Sequence, residues 1–137
     1  GLSRSCNHGE SFKDYYRNFN KSAIIIPMIE NKNALKEIKN IIKNKNIDCI
    51  LIGPYDMSAS LGKPGNFKTF TFKNIIKNIL NLCLKNKVSC GMHIVHTNEI
   101  NLRKINKQGY NFLPFSTDIQ IFIDGLFDKI KIIKKNK

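Results

Sequence analysis

The chain has 137 residues, with 23 lysines and arginines against 10 aspartates and glutamates and a formal net charge of +13. That length suits one domain with a real hydrophobic core, and no stretch reaches the roughly 18 uninterrupted apolar residues that a membrane-spanning helix needs. The cysteines at 6, 49, 83 and 90 contain no Cys-x-x-Cys pair; Cys49 and Cys90 in strand-like runs and Cys83 on an apolar helix face read as buried free thiols of a reducing, cytoplasmic compartment.

In chain order, strands alternate with helices, as a parallel α/β architecture requires. A helical opening segment from Ser11 to Asn20 precedes a strand over about Ala23 to Ile29. A helix over Ala34 to Asn44 groups Leu35, Ile38, Ile41 and Ile42 on one face. The second strand covers Asp48 to Ile52, and a helix from Phe72 to Asn86 follows it, with Ile75, Ile76, Ile79, Leu80 and Leu82 turned inward. A third strand over Ser89 to Val95, a helix over Glu99 to Lys107 closed by Gly109, and a fourth strand over Phe112 to Phe115 come next. The last helix, Ile119 to Lys134, aligns Ile123, Leu126, Phe127, Ile130 and Ile133.

The charge says less than its size suggests. A strongly basic chain raises nucleic acid or an anionic membrane surface as a partner. Here the lysines are interspersed with asparagine and isoleucine, as in Lys36-Glu37-Ile38-Lys39-Asn40-Ile41-Ile42-Lys43, which is the pattern of solvated helix faces. Lys129, Lys131, Lys134, Lys135 and Lys137 form the one dense cluster, placed where cations favour a helix C-terminus. Neither a nucleic-acid nor a membrane partner is expected. The reading of a different class that remains open is a non-catalytic, basic RNA-binding module.

Two apolar runs end in carboxylates: Ile24-Ile25-Ile26-Pro27-Met28-Ile29-Glu30, and Cys49-Ile50-Leu51-Ile52-Gly53-Pro54-Tyr55-Asp56-Met57-Ser58. Continuous apolar runs of this length suit buried parallel strands, whose C-terminal ends carry the working face of such folds. Glu30 and Asp56 would then be neighbours at one mouth, able to share a divalent cation or, more simply, to cap the helices that follow. Gly53-Pro54 reads as a tight turn that frees the backbone N–H groups of Tyr55 and Asp56 for an anion. Ser58 suits helix capping or ligand contact. His93 and His96 stand three apart, on opposite faces if the strand continues, which makes a poor metal pair. Asp118 is placed to cap the last helix.

Ile25-Ile26-Pro27-Met28-Ile29-Glu30, followed by Ile52-Gly53-Pro54-Tyr55-Asp56-Met57-Ser58-Ala59-Ser60-Leu61-Gly62, resembles the signature of the HpcH/HpaI-type aldolase and citrate lyase family, over about Gly1 to Asp124. The resemblance implies metal-dependent pyruvate aldolases on a (β/α)8 barrel, with Glu30 and Asp56 as the metal ligands. It also implies that Gly53, Tyr55, Asp56 and Ser58 lie against the substrate. Met57 departs conservatively from the family's leucine. A whole barrel needs about 200 residues or more, so residues 1–137 read as one partial domain, the C-terminal half of a barrel with about four βα units. The catalytic histidine with its acidic partner, and the substrate arginine, would lie in the other half, which leaves this chain inactive alone.

Two carboxylates without soft donors favour Mg²⁺ or Mn²⁺. The implied reaction is reversible cleavage of a 2-keto-3-deoxy or 4-hydroxy-2-oxo acid to pyruvate and an aldehyde, by an enzyme that is a homo-oligomer in full-length form. Within enzymes, the alternative is a malyl- or citryl-thioester lyase.

Overall fold

Cys49–Ile52 is buried at every position and forms β2, the central strand. In the computed structural model, which describes residues 3–95 and 99–135, β2 lies between β1 (Met28–Ile29) and β3 (Ser89–Met92), all parallel. A central parallel strand is covered on both faces, which is why an uninterrupted apolar run marks it. Helices make the crossovers: α1 (Phe12–Ser22) precedes β1, α2 (Ala34–Lys43) joins β1 to β2, and α3 (Pro54–Ser60) with α4 (Phe70–Asn86) joins β2 to β3. α5 (Glu99–Lys107) and α6 (Asp118–Lys135) complete the order.

The core lies between the sheet and the inner faces of α2 and α4. Ile38 and Ile42 of α2 and Phe72, Ile79, Leu80 and Cys83 of α4 join Ile29, Ile50, Ile52, Cys90 and Met92 in one cluster. The α4 face is the one its periodicity predicts, although the helix begins two residues earlier than expected. Thr69 sets that start, its Oγ1 accepting the Phe72 N–H at 3.2 Å, a side-chain N-cap. All four cysteines are buried, and Cys49, Cys83 and Cys90 are free thiols. Every described lysine whose burial is assigned is exposed, as the interspersed charge pattern suggests.

The first strand is shorter than expected. Pro27 has no N–H to donate, so the regular ladder starts only at Met28. Pairing still continues towards the chain start: the Ile25 and Pro27 carbonyls accept the Asp48 and Leu51 N–H groups, each at 3.1 Å. The Asp48 carboxylate accepts the Ile25 N–H at 2.8 Å. The third strand also stops early, at Met92 rather than Val95. The expected fourth strand appears as two parallel bridges, Gly91 to Phe112 and Ile94 to Phe115, because Pro114 interrupts its donors. Gly91 permits that approach, since a Cβ there would meet the Phe112 ring and carbonyl at 2.7 Å.

The last helix forms on the expected residues, but its apolar face is not buried. Of the expected face, Leu126, Phe127 and Ile133 are between 51 and 63% exposed, and Ile123 and Ile130 are only half-buried, so the periodicity specified a helix whose cover is not among the described residues. Its cap is Thr117 rather than Asp118: the Thr117 Oγ1 accepts the Gln120 N–H at 3.2 Å, while Asp118 is the first helical residue and bonds only its neighbour's N–H.

Candidate active site at the mouth of the sheet

The parallel register sets the geometry. Ile29 stands beside Ile52, and the Gly53 N–H donates to the Ile29 carbonyl at 3.2 Å. The next residue on each strand therefore emerges at the same edge, and Glu30 comes to lie against Gly53. A Cβ built on Gly53 would be 3.0 Å from the Glu30 Cβ, 3.1 Å from its Oε2 and 3.1 Å from the Met28 Sδ. Gly53 has φ −92°, open to any residue. What requires glycine is the Glu30 side chain pressed against it.

Gly53-Pro54 is not a tight turn. Gly53 is the N-cap of α3 and Pro54 its first residue, where the missing N–H costs nothing. The helix's first intrahelical bond runs from the Met57 N–H to the Gly53 carbonyl at 3.0 Å, which leaves the Tyr55 and Asp56 N–H groups at the open end. Asp56 is thus on the first turn of α3, exposed, three residues beyond the glycine that touches Glu30. Glu30 is half-buried. The two carboxylates share one end of the sheet.

Two serines lock this end in place. Ser58 is 1% exposed; its hydroxyl donates to the Tyr55 carbonyl at 2.7 Å and accepts the Gly65 N–H at 2.8 Å, tying the following loop to α3. Ser60 Oγ donates to the Met57 carbonyl at 2.9 Å and accepts the Lys32 N–H at 3.0 Å. It therefore fastens the segment after Glu30 to the helix that carries Asp56. Sequence reading missed Ser60, because its local bond is common in helices and its partner is 28 residues away. It missed Phe67 as well, whose ring meets Tyr55 edge-on at a centroid distance of 5.0 Å. Tyr55 remains 43% exposed, one flank packed and one open at the mouth.

At the end of β3, the His93 N–H donates to the Ile52 carbonyl at 3.1 Å, and its Nε2 lies 3.3 Å from the Ser116 carbonyl oxygen. His93 is partly buried and engaged with the last connection. His96 lies outside the described residues. No group of three or more His, Cys, Asp or Glu with metal-holding geometry occurs among the described residues. A cation here would rest on two protein carboxylates, with its remaining positions open to water and substrate oxygens, a donor set that suits Mg²⁺ or Mn²⁺. The residues present fit such an ion.

Comparison with known proteins bears on the chain as a whole. The profile of the HpcH/HpaI aldolase/citrate lyase family matches residues 6–125. A 5-keto-4-deoxy-D-glucarate aldolase from Shigella boydii is 26% identical over 121 residues, covering 88% of this chain and 46% of that protein. A 2-keto-3-deoxy-L-rhamnonate aldolase from Shigella dysenteriae is 26% identical over 125 residues, 91% of this chain and 46% of the relative. The chain thus spans about half the length of the curated relatives it matches. A family protein from Burkholderia cenocepacia, solved by crystallography, superposes with a TM-score of 0.82 at 21% identity, over 98% of this chain and 51% of that one. That likeness supports the α/β fold, a parallel sheet with helices that matches about half of a barrel protein. With the profile spanning most of its length, the chain belongs to the HpcH/HpaI aldolase/citrate lyase family.

Proposed function

We propose that the protein containing this chain is a divalent-metal-dependent aldolase that reversibly cleaves a 2-keto-3-deoxy or 4-hydroxy-2-oxo acid to pyruvate and an aldehyde. The observation that carries this reading is the β1–β2 register, which sets Glu30 against Gly53 and the first turn of α3 with Asp56. Glu30 and Asp56 would hold Mg²⁺ or Mn²⁺. The ion supplies positive charge against the negative charge that develops on the 2-oxo oxygen as the carbon–carbon bond breaks.

The chain's own residues bind and orient. The Tyr55 and Asp56 N–H groups, without intrahelical partners, offer donors to the 2-oxo acid's carboxylate. Gly53 gives the Glu30 side chain room to lie against the start of α3. Ser58 acts from beneath, holding α3 and its loop in register, and the free flank of Tyr55 borders the space left for the aldehyde portion. Proton transfer and the arginine contact are assigned to the remainder of the barrel, residues 1–137 being one partial domain of a homo-oligomeric enzyme.

The test uses the full-length protein, 2-keto-3-deoxy sugar acids and a coupled pyruvate assay with Mg²⁺ or Mn²⁺. Turnover should stop with EDTA and return with metal. Asp56→Ala should lower it by at least about a thousandfold with an unchanged circular dichroism spectrum, because Asp56 is exposed. Turnover that ignores EDTA, or an active Asp56→Ala enzyme, would overturn the assignment. Cleavage of a citryl thioester in place of the sugar acids would move the protein to the lyase alternative.

A further inference from the structure

A cavity of about 410 Å³ lies on the helical side of the sheet, between α4 and the chain just past α5. It shares no residue with the mouth that carries Glu30, Gly53 and Asp56. Its volume falls within the range of small-molecule sites, and its make-up follows their pattern of an apolar lining with a few convergent polar groups. Ile76 and Leu80 give it an apolar wall; Lys73 and Lys77, one helical turn apart, flank it with two ammonium groups; Gln108 adds an amide. None of its lining residues is acidic.

Tyr110, which also lines the cavity, supplies an independent observation. Its side chain is only 3% exposed and part of the core cluster, yet its hydroxyl has no hydrogen-bond partner among the described residues. Every fully enclosed polar side-chain atom among those residues does have one. The phenol oxygen therefore keeps a small contact with solvent, and Tyr110 is one of the residues that line the cavity. With no protein acceptor, that oxygen gives its proton to water or to a ligand in the cavity.

We propose that this cavity is a second ligand site, selective for an organic monoanion in which a carboxylate is carried on an apolar body. The body lies along Ile76 and Leu80, the carboxylate accepts the Tyr110 O–H, and Lys73 and Lys77 neutralise it from the rim. Lysine suits this task because its methylene stem extends the apolar wall while its ammonium group stays hydrated. A charge-assisted bond from the phenol is stronger than one between neutral groups, so the anion is preferred over its amide.

The probe is 2-naphthoate, titrated calorimetrically into the full-length protein beside its neutral isostere 2-naphthamide. Naphthoate should bind at least tenfold more tightly than naphthamide and weaken as salt rises. The double variant Lys73→Gln/Lys77→Gln should raise its dissociation constant at least tenfold, and Tyr110→Phe about three- to tenfold. Tyr110→Phe should leave the melting temperature unchanged, because the hydroxyl has no protein partner to lose. Equal affinities in all three proteins would place the naphthoate on other apolar surface and overturn the proposal. Absence of binding at millimolar naphthoate, or a lowered melting temperature in Tyr110→Phe, would overturn it as well.

Discussion

Adding one methyl group at Gly53 tests the geometry of the mouth directly. The Gly53 backbone, at φ −92° and ψ 95°, accepts alanine without strain, so the effect of Gly53→Ala is one of contact alone. The new Cβ would lie 3.0 Å from the Glu30 Cβ and 3.1 Å from both its Oε2 and the Met28 Sδ. Each neighbour must give by a few tenths of an ångström. Overpacking of this kind costs about 1–3 kcal/mol, while the restricted unfolded chain returns about 0.4–1 kcal/mol. The expected net loss is about 1–2 kcal/mol, read as a fall of roughly 2–8 °C in melting temperature. Because the displaced group is Glu30, Mn²⁺ affinity should fall with it, by about tenfold, as when a supporting contact of a metal ligand is removed. Calorimetric Mn²⁺ titration and thermal unfolding of the full-length protein measure both. Gly125→Ala is the control, since nothing lies within 4 Å of a Cβ there and alanine favours a helix interior. A Gly53→Ala protein with unchanged melting and unchanged Mn²⁺ affinity would refute the claim that Gly53 is glycine because Glu30 occupies its side-chain space.

Three further outcomes follow from the same structure. Ser58→Ala should cost about 0.5–1.5 kcal/mol in denaturant unfolding, because it removes the part-buried bond that ties the Gly65 N–H to α3. Lys87→Gly should stabilise by about 0.5–1 kcal/mol, since Lys87 closes α4 in the left-handed region at φ +57°, where glycine is unstrained. Cys49 gives a pH dependence: burial pushes its thiol up from 9.0 to about 11. The unfolded chain releases that proton first as pH rises, so the stability contributed by Cys49 is complete below about pH 9 and is lost as pH rises through about 11. Cys49→Ala should flatten that part of the stability profile; an unchanged slope would count against burial as the cause.

Much of the architecture was legible in the chain because it is encoded locally. The continuous apolar run at Cys49–Ile52 announced a buried parallel strand, and the spacing of Ile38 with Ile42 and of Ile79 with Cys83 matched the inner faces of α2 and α4. Glu30 and Asp56 could be read as strand-end neighbours because parallel strands place their C-termini at one edge. Other features depend on partners far away in sequence. That Gly53 answers to Glu30, that Ser60 clasps Lys32, and that the expected fourth strand reduces to two bridges beside Pro114 were decided only by tertiary contact. The last helix makes the division clearest. Its heptad-like apolar spacing determined that α6 would form, because periodicity acts through the helix's own backbone, but whether Phe122 and Leu126 are covered depends on a surface that the helix does not carry, and here they stand exposed.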